Sequence, residues 1–445
     1  MNKPILQRSR TEAETALIDR FDQGDRRLVG ASELRAEAMR RFAETGLPTR
    51  RVESWHYTDL RGAIRTAALV RAPETATLPM ARECLTKRIA QTQAHRFVIF
   101  NGVYNEELSS DAPLPEGVTA TTLSAALAAG DQTVLDALKD AGPGEGDAVV
   151  ALNTALMEDG VVIRVAPGVK VDRPLAILNL MCGGFAQATF LRSVLIVGAG
   201  ASVSLDETSA VCAPDATQAN EGLTVVVGDS ARVDYAAQVT EQGPQSVALH
   251  SLFVTMGANA AFNGFCLVPQ AGLVRRQIFA RLDGEHSTLS LGGLSLLRGK
   301  EHADTTLVVD HAVPNCVSRE FFRYILDHES TGVFQGKVVV RQHAQKTDGG
   351  MKSQALVLGE DASMNNKPEL EIFADDVVCG HGATVGQLDP NQIFYLRARG
   401  LPRGEAESLL LEAFANEALD LVADESVRAR YATQTADWLA HRSGR

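Results

Sequence analysis

Cys379 and His381 are the residues of this chain whose types and spacing most resemble a ligand pair. They lie two apart in Val377-Val378-Cys379-Gly380-His381-Gly382-Ala383-Thr384, a segment that reads as a strand. In an extended strand both side chains project from one face, about 6.5 Å apart along it. Glycines at 380 and 382 leave room for another backbone or an inorganic group to come close. Thiolate and imidazole are both metal-ligating side chains. One of each is at most half a site, so a partner must complete it. On residue types alone the pair reads first as structural residues of a strand and its turn.

No other constellation competes. His302, His311, His328 and His343 are dispersed and read as surface or internally satisfied histidines, and His56 has no Cys or acidic residue at a metal-like spacing. The six cysteines are scattered without a C-x-x-C pair, which predicts reduced thiols and neither a disulfide framework nor a zinc site. Cys182, Cys212, Cys266 and Cys316 read as small core residues. Asp375 and Asp376 are adjacent, and on a strand they would face opposite ways and could not share one site. No nucleophile–base pair with defined spacing emerges, so the chain reads as non-enzymatic.

The elements that must position the pair follow from composition and period. At 445 residues the chain is too long for one ordinary compact domain unless it is an elongated repeat. Apolar residues make up 45% and aromatics only 5%, so the core must be mainly aliphatic. A net charge of −12 argues against nucleic acid as the main partner. No run approaches the roughly 18–20 apolar residues of a membrane span. Met1 to Ile18 is charged and lacks the apolar segment of a secretory signal, which points to the cytoplasm.

Residues 1 to about 47 read as helical, with Ser32 as N-cap and Leu34, Ala38, Met39 and Phe42 at helical spacing before Gly46 and Pro48. Trp55-His56-Tyr57 follows, an aromatic anchor in an aromatic-poor chain. Arg96 to Phe100 reads as a strand and Ala125 to Leu138 as a helix. The glycines at 142, 144 and 146 read as a corner, since no Lys-Ser/Thr follows to make a phosphate-binding loop.

From about Gly160 helical spacing vanishes and short strands succeed one another. Gly198, Gly228, Gly257 and Gly284, spaced 30, 29 and 27 residues apart, are each followed by a small residue three on and an apolar one two further. The same corner returns at Gly359, Ala362 and Met364. A fixed corner at this period, with about three strands between, predicts stacked coils of a β-helix. A hexapeptide β-helix would need a corner every six residues, and a β-sandwich would lack the longer period. Pro402 opens a closing helical pair. Its first stripe is Ala406, Leu410, Ala413, Phe414, Ala418 and Leu421; Asp424 caps the second, with Val427, Tyr431, Thr435 and Trp438. This pair reads either as a cover for the open end of the solenoid or as a partner-binding element.

Several segments resemble the SufB/SufD family of iron–sulfur cluster assembly proteins. They are Phe334-Gln335-Gly336-Lys337-Val338, Ala344-Gln345-Lys346-Thr347-Asp348 and Pro368-Glu369-Leu370-Glu371-Ile372. The likeness continues through Asp375-Asp376-Val377, Cys379 to Gly386 and Phe394-Tyr395-Leu396-Arg397-Ala398-Arg399-Gly400, and includes the early Arg51 to Thr58. Cys-x-His-Gly-Ala-Thr looks like the SufD type; the SufB type has an acidic residue after its histidine and a cysteine where this chain has Leu396.

The resemblance implies a right-handed parallel β-helix core over 151–400, a helical and mixed region over 1–150 and a C-terminal helical region over 401–445. It implies a complex with a SufB-like paralogue, met through the late strands, and a SufC-like ABC ATPase, met through the C-terminal helices. It also implies a nascent iron–sulfur cluster at the partner interface, with His381, and Cys379 beside it, as this chain's share of the ligands. Leu396 lacks the thiolate, so this chain alone would not carry a cluster. Pairing of the isolated chain with itself is plausible from the paralogous surfaces, and flavin binding is left open between this chain and its partner. Two other classes are weighed: a secreted-type β-helix carbohydrate lyase or hydrolase, for which no acidic groove is evident, and a stand-alone metal-binding carrier.

Overall fold

The computed structural model describes residues 9–442 except 24–27, 72, 90–93, 111, 213–215 and 241–242. Parts of the helical expectation over 1–47, residues 1–8 and 24–27, therefore lie outside the described residues. The remainder forms α1 (Glu12–Asp22), opened by a Thr11–Glu14 capping box, and α2 (Ser32–Thr45). Ser32 is not the cap of α2. A left-handed step at Gly30 and Ala31 brings the chain in, so that Ser32 is already helical.

There follow α3 (Leu60–Ala63), β1 (Leu69–Val70), α4 (Leu78–Ile89), β2 (His95–Phe100), β3 (Val103–Tyr104) and β4 (Val118–Thr122). The single helix expected over 125–138 is two, α5 (Leu123–Ala128) and α6 (Gln132–Lys139). Gly130 takes φ 68° after the first, and Asp131 caps the second by accepting from the Val134 amide. α7 (Ala148–Leu156) is capped by Asp147 and buried from Val149 to its end.

The chain then alternates between two sheets. One holds β5 (Val161–Val165), β7 (Gln187–Val197), β9 (Gln218–Val227), β11 (Val247–Met256), β13 (Leu273–Leu282), β15 (His302–His311), β17 (Thr331–Val340) and β19 (Ser363–Ile372). The other holds β6 (Leu175–Met181), β8 (Ser202–Val211), β10 (Arg232–Thr240), β12 (Ala261–Gln270), β14 (Thr288–Leu297), β16 (Val317–Leu326), β18 (Asp348–Val357) and β20 (Val378–Gly386). Successive strands within each row pair in parallel, giving a mainly β, parallel β-solenoid of about seven turns. β2 joins one sheet in parallel with β6, and β4 the other antiparallel to β5.

The expected corner is present, but each period holds two strands of about ten residues and not three. Polar residues inside the strands, such as Asn220 and Glu221 in β9, make one long strand read as two shorter ones. The corner glycines have a steric cause. A Cβ on Gly228 would stand 2.8 Å from the Ala199 nitrogen, and one on Gly284 1.9 Å from that of Ala258, both in the preceding coil. Two residues after the corner glycine the backbone is left-handed in coil after coil, at Gly200, Ser230, Asn259 and His286.

Alternate residues point inward to an aliphatic core that includes Val203, Val233, Phe262 and Leu289, stacked in register. The interior is not wholly apolar. Arg276 donates to the Tyr235 hydroxyl (2.9 Å), which bonds Glu207, and Asn179 and Ser209 donate to Glu221. Cys182 and Cys212 correct the reduced-thiol expectation. Met181 pairs with Val211, so the next residues meet at one corner of adjacent coils, Cα atoms 4.8 Å apart, and form a disulfide. Cys84, Cys266, Cys316 and Cys379 are free.

Helices α8 (Pro390–Ala398), α9 (Arg403–Leu419) and α10 (Glu425–Arg442) close the described chain. Asp424 caps α10 as read, and Val427, Tyr431, Thr435 and Trp438 are buried. The buried stripe of α9 is Ala406, Leu411, Ala415, Ala418 and Leu419, rotated from the one read in the sequence. These helices do not cap the solenoid. α9 and α10 lie on the outer face of the even-strand sheet, against Phe265, Leu267, Leu294, Leu296 and Ile325, pinned by an Arg430–Asp206 ion pair (2.7 Å). Among the described residues, none covers the end coil, whose β20 is exposed along most of its length.

Candidate site at the open end of the solenoid

β19 and β20 are the last strands of their sheets, each with one paired edge. Exposed apolar side chains gather there: Ile372, Phe373, Val378 and Val385, the third 73% exposed. A free parallel edge flanked by apolar residues is a template for another chain.

Cys379 pairs in register with Gly349, and His381 with Met351. Gly349 and Met351 face inward, Met351 within the core, so Cys379 and His381 occupy the inward row of the outermost strand. Both side chains therefore point to one face, as their spacing predicts. Because no later coil stacks on β20, His381 is exposed while Cys379 is half-buried against the core. Gly380 and Gly382 border open space, with nothing within 4 Å of a Cβ built on either.

The Cys379 thiol is pushed above its ordinary range, chiefly by burial, with the carboxylates of Asp348 and Glu320 adding to the shift and Arg319 opposing it. Metal binding must displace that proton. Behind the thiol, the position of a missing Gly349 side chain lies 3.4 Å from Cys379 Sγ and 3.7 Å from Ser318 Oγ. The Ser318 hydroxyl shares a hydrogen bond with His311 Nε2 (3.0 Å). Glu320 faces the same interior, fully buried, and burial pushes its pKa up to about 8 against the opposing pull of the Ser318 hydroxyl and the Arg319 charge. Sequence reasoning missed Glu320; its signal was an acid on the inward phase of Ser318-Arg319-Glu320-Phe321-Phe322.

Other sequence candidates fall elsewhere. Asp375 and Asp376 lie in the corner between β19 and β20 and not on a strand, and Asp376 pairs with Lys346. Leu396 is half-buried on α8. His302 bonds the Thr58 hydroxyl, His311 is buried beside Ser318, and His328 occupies a left-handed corner position. Among the described residues, no three His, Cys, Asp or Glu side chains come close enough to hold a metal ion. Cys379 and His381 are two potential donors at an edge.

Trp55 is the anchor expected. It is buried, donates from Nε1 to Asp147 (3.0 Å), and lies under the Arg275 guanidinium. Arg275 is paired with Asp304, which also accepts from Thr58. The conspicuous Arg51–Thr58 stretch is thus a clasp fastening the N-terminal region to the flank of the solenoid.

Comparison with known proteins agrees with this architecture. Residues 181–414 match the model of the SufBD core domain of the SUF system for FeS cluster assembly, and residues 13–177 that of the SufBD N-terminal region. The chain is 30% identical over 401 residues to the iron–sulfur cluster assembly protein SufD of Escherichia coli (strain K12), covering 88% of this chain and 89% of that one. It is 28% identical over 395 residues to a SufBD family protein of Synechocystis, covering 86% of each, and 25% identical over 287 residues to SufD of Bacillus subtilis, covering 63% and 64%. A parallel solenoid with an unpaired last coil, matched by both family models across its length, belongs to the SufBD family.

Proposed function

We propose that this protein is a non-catalytic scaffold subunit for iron–sulfur cluster assembly, which joins a SufB-type chain through β19 and β20 and a SufC-type ATPase through its C-terminal helices. One observation carries the reading: the chain ends its solenoid on an uncovered strand edge that presents one thiol and one imidazole, with apolar residues around them. A second solenoid edge laid against β20 would bury Val378 and Val385 and bring its own ligands to His381. The nascent cluster is then cargo shared between two chains, with His381 as this chain's principal donor and Cys379 next to it.

The C-terminal helices suit the ATPase role because they are fastened to the sheet on one side only. Phe394 and Tyr395 on α8 are 74% and 58% exposed. A cleft of about 410 Å³ runs beside them, lined by Leu358, Ile393, Arg397 and Glu407 among others. A partner that moved α8 and α9 would act close to the strand carrying His381, since α8 begins four residues after β20 ends.

Purification of the tagged chain from its native cell tests the reading. Recovery in a stable assembly with a SufB-like chain and an ABC ATPase, with little metal on the separated subunit, is the expected outcome. Recovery alone, or with iron bound to the isolated chain, would count against a scaffold in favour of a metal-binding carrier.

A further inference from the structure

A second feature lies far from β20, where the clasp crosses the stacked corners that precede the odd-numbered strands. Between Arg50–Ala68 and those corners runs a groove of about 680 Å³, and a neighbouring hollow of about 580 Å³ shares Arg50 and Asp59 with it. Together they are lined by Arg50, Arg51, Arg61, Arg65 and Lys300, against the single carboxylate Asp59. Arg61 is answered by Glu14 and Lys300 by Glu329. Among the described residues, Arg50, Arg51 and Arg65 have no carboxylate within ion-pair distance. Three uncompensated guanidiniums around one acid are a local positive field on a chain of net charge −12.

The walls suit a ring as well as an anion. Tyr57 stands half-buried on one side, and Ala63, Ala68, Val247 and Leu273 supply an apolar surface. The frame is rigid. Trp55 is locked between Asp147 and Arg275, Thr58 is tied to Asp304 and His302, and the His56 ring bonds the Arg50 carbonyl (3.2 Å). Arg50, Arg51 and Tyr57 therefore spring from a pre-organised loop and not from a mobile surface. The volume falls within the range of small-molecule sites, and guanidinium forks match phosphate oxygens in pairs.

We propose that this groove binds a nucleotide-sized phosphate ester, with its phosphates on Arg50 and Arg65 and its ring against Tyr57. Calorimetric titration of the full chain with ADP, pyrophosphate and adenosine tests it, alongside R50Q, R65Q and Y57A. Saturable binding of ADP and pyrophosphate is expected, weakened about ten-fold by either Arg→Gln change. Y57A is expected to weaken ADP and leave pyrophosphate unchanged. Absence of saturable binding of either phosphate up to about 1 mM would overturn the proposal. Affinity indifferent to R50Q and R65Q, or capture of an oligoglutamate peptide in place of both phosphates, would do so equally. Thermal melts of R50Q and R65Q, expected to match the parent because both side chains are exposed, exclude loss of fold as the cause of weaker phosphate binding.

Discussion

Cys379 lies in register with Gly349, and the space its sulfur faces is the space a Gly349 side chain would fill: a Cβ there would stand 3.4 Å from Sγ. That contact is ordinary van der Waals distance. Gly349 therefore sets how far the thiol reaches into the solenoid, although it touches no partner itself.

Substitution at Gly349 should separate packing from reach. Gly349→Ala adds one methyl at a normal distance and is expected to change stability by less than about 1 kcal/mol. Gly349→Leu cannot be accommodated among Cys379, Val338 and Ser318 and should turn the thiol outward. Reaction with a colorimetric disulfide reagent should be faster in the Leu variant and unchanged in the Ala variant. Equal rates in all three proteins would show that Gly349 does not place Cys379.

The clasp makes a different prediction. Trp55→Ala removes a fully buried indole and should cost about 3–5 kcal/mol, with early proteolysis before the solenoid. Asp304→Ala strands the Arg275 charge at a site with no exposure and should cost a similar amount. The double change Asp304→Leu with Arg275→Met should recover part of that loss in urea denaturation. A double variant no better than Asp304→Ala would mean the ion pair is not the cause.

Glu320 should give the protein a pH-dependent stability. Its native pKa is raised from 4.5 to about 8, so between those values the folded chain keeps a proton that the unfolded chain has released. Unfolding then releases a proton, and stability falls as pH rises through this window, by at most about 1.4 kcal/mol per pH unit. Glu320→Gln removes the slope. The gap between variant and parent in chemical denaturation should open from pH 5 to pH 8 (about the window of the shift) in favour of the variant. A constant gap would place an ionised, partnered Glu320 in the core.

Cys182 and Cys212 predict a thiol count. The denatured, unreduced chain should show four reactive thiols and the reduced chain six. Reduction closes no new contact but frees a loop of 30 residues, which should cost about 3–4 kcal/mol. Six thiols without reductant would show the pair to be open.

Much of this architecture was legible in the sequence because steric requirements at corners recur. Gly228 and Gly284 must lack a Cβ for coils to stack, and that necessity is what the 27–30 residue period records. Cys379 and His381 were legible as one face of a strand because alternation is a property of the backbone. What stayed hidden depends on pairing. The disulfide follows from the register of β6 on β8, which no spacing of cysteines reveals. Glu320 becomes conspicuous only when Met351 and His381 are stacked over it. The placement of α9 and α10 on the flank, and not over the end, rests on Phe265, Leu294 and Ile325, outward residues of strands that look like core residues in sequence.

In the proposed scaffold, His381 supplies this chain's share of a cluster built between two subunits. Reconstituting the complex with the SufB-type chain and the ATPase, and following cluster formation by visible absorption after iron and sulfide addition, tests it most directly. With His381→Ala, assembly of the complex and its thermal stability should match the parent, while cluster yield falls by an order of magnitude or more. Cluster formation at the parental rate and yield in an intact His381→Ala complex would contradict the claim.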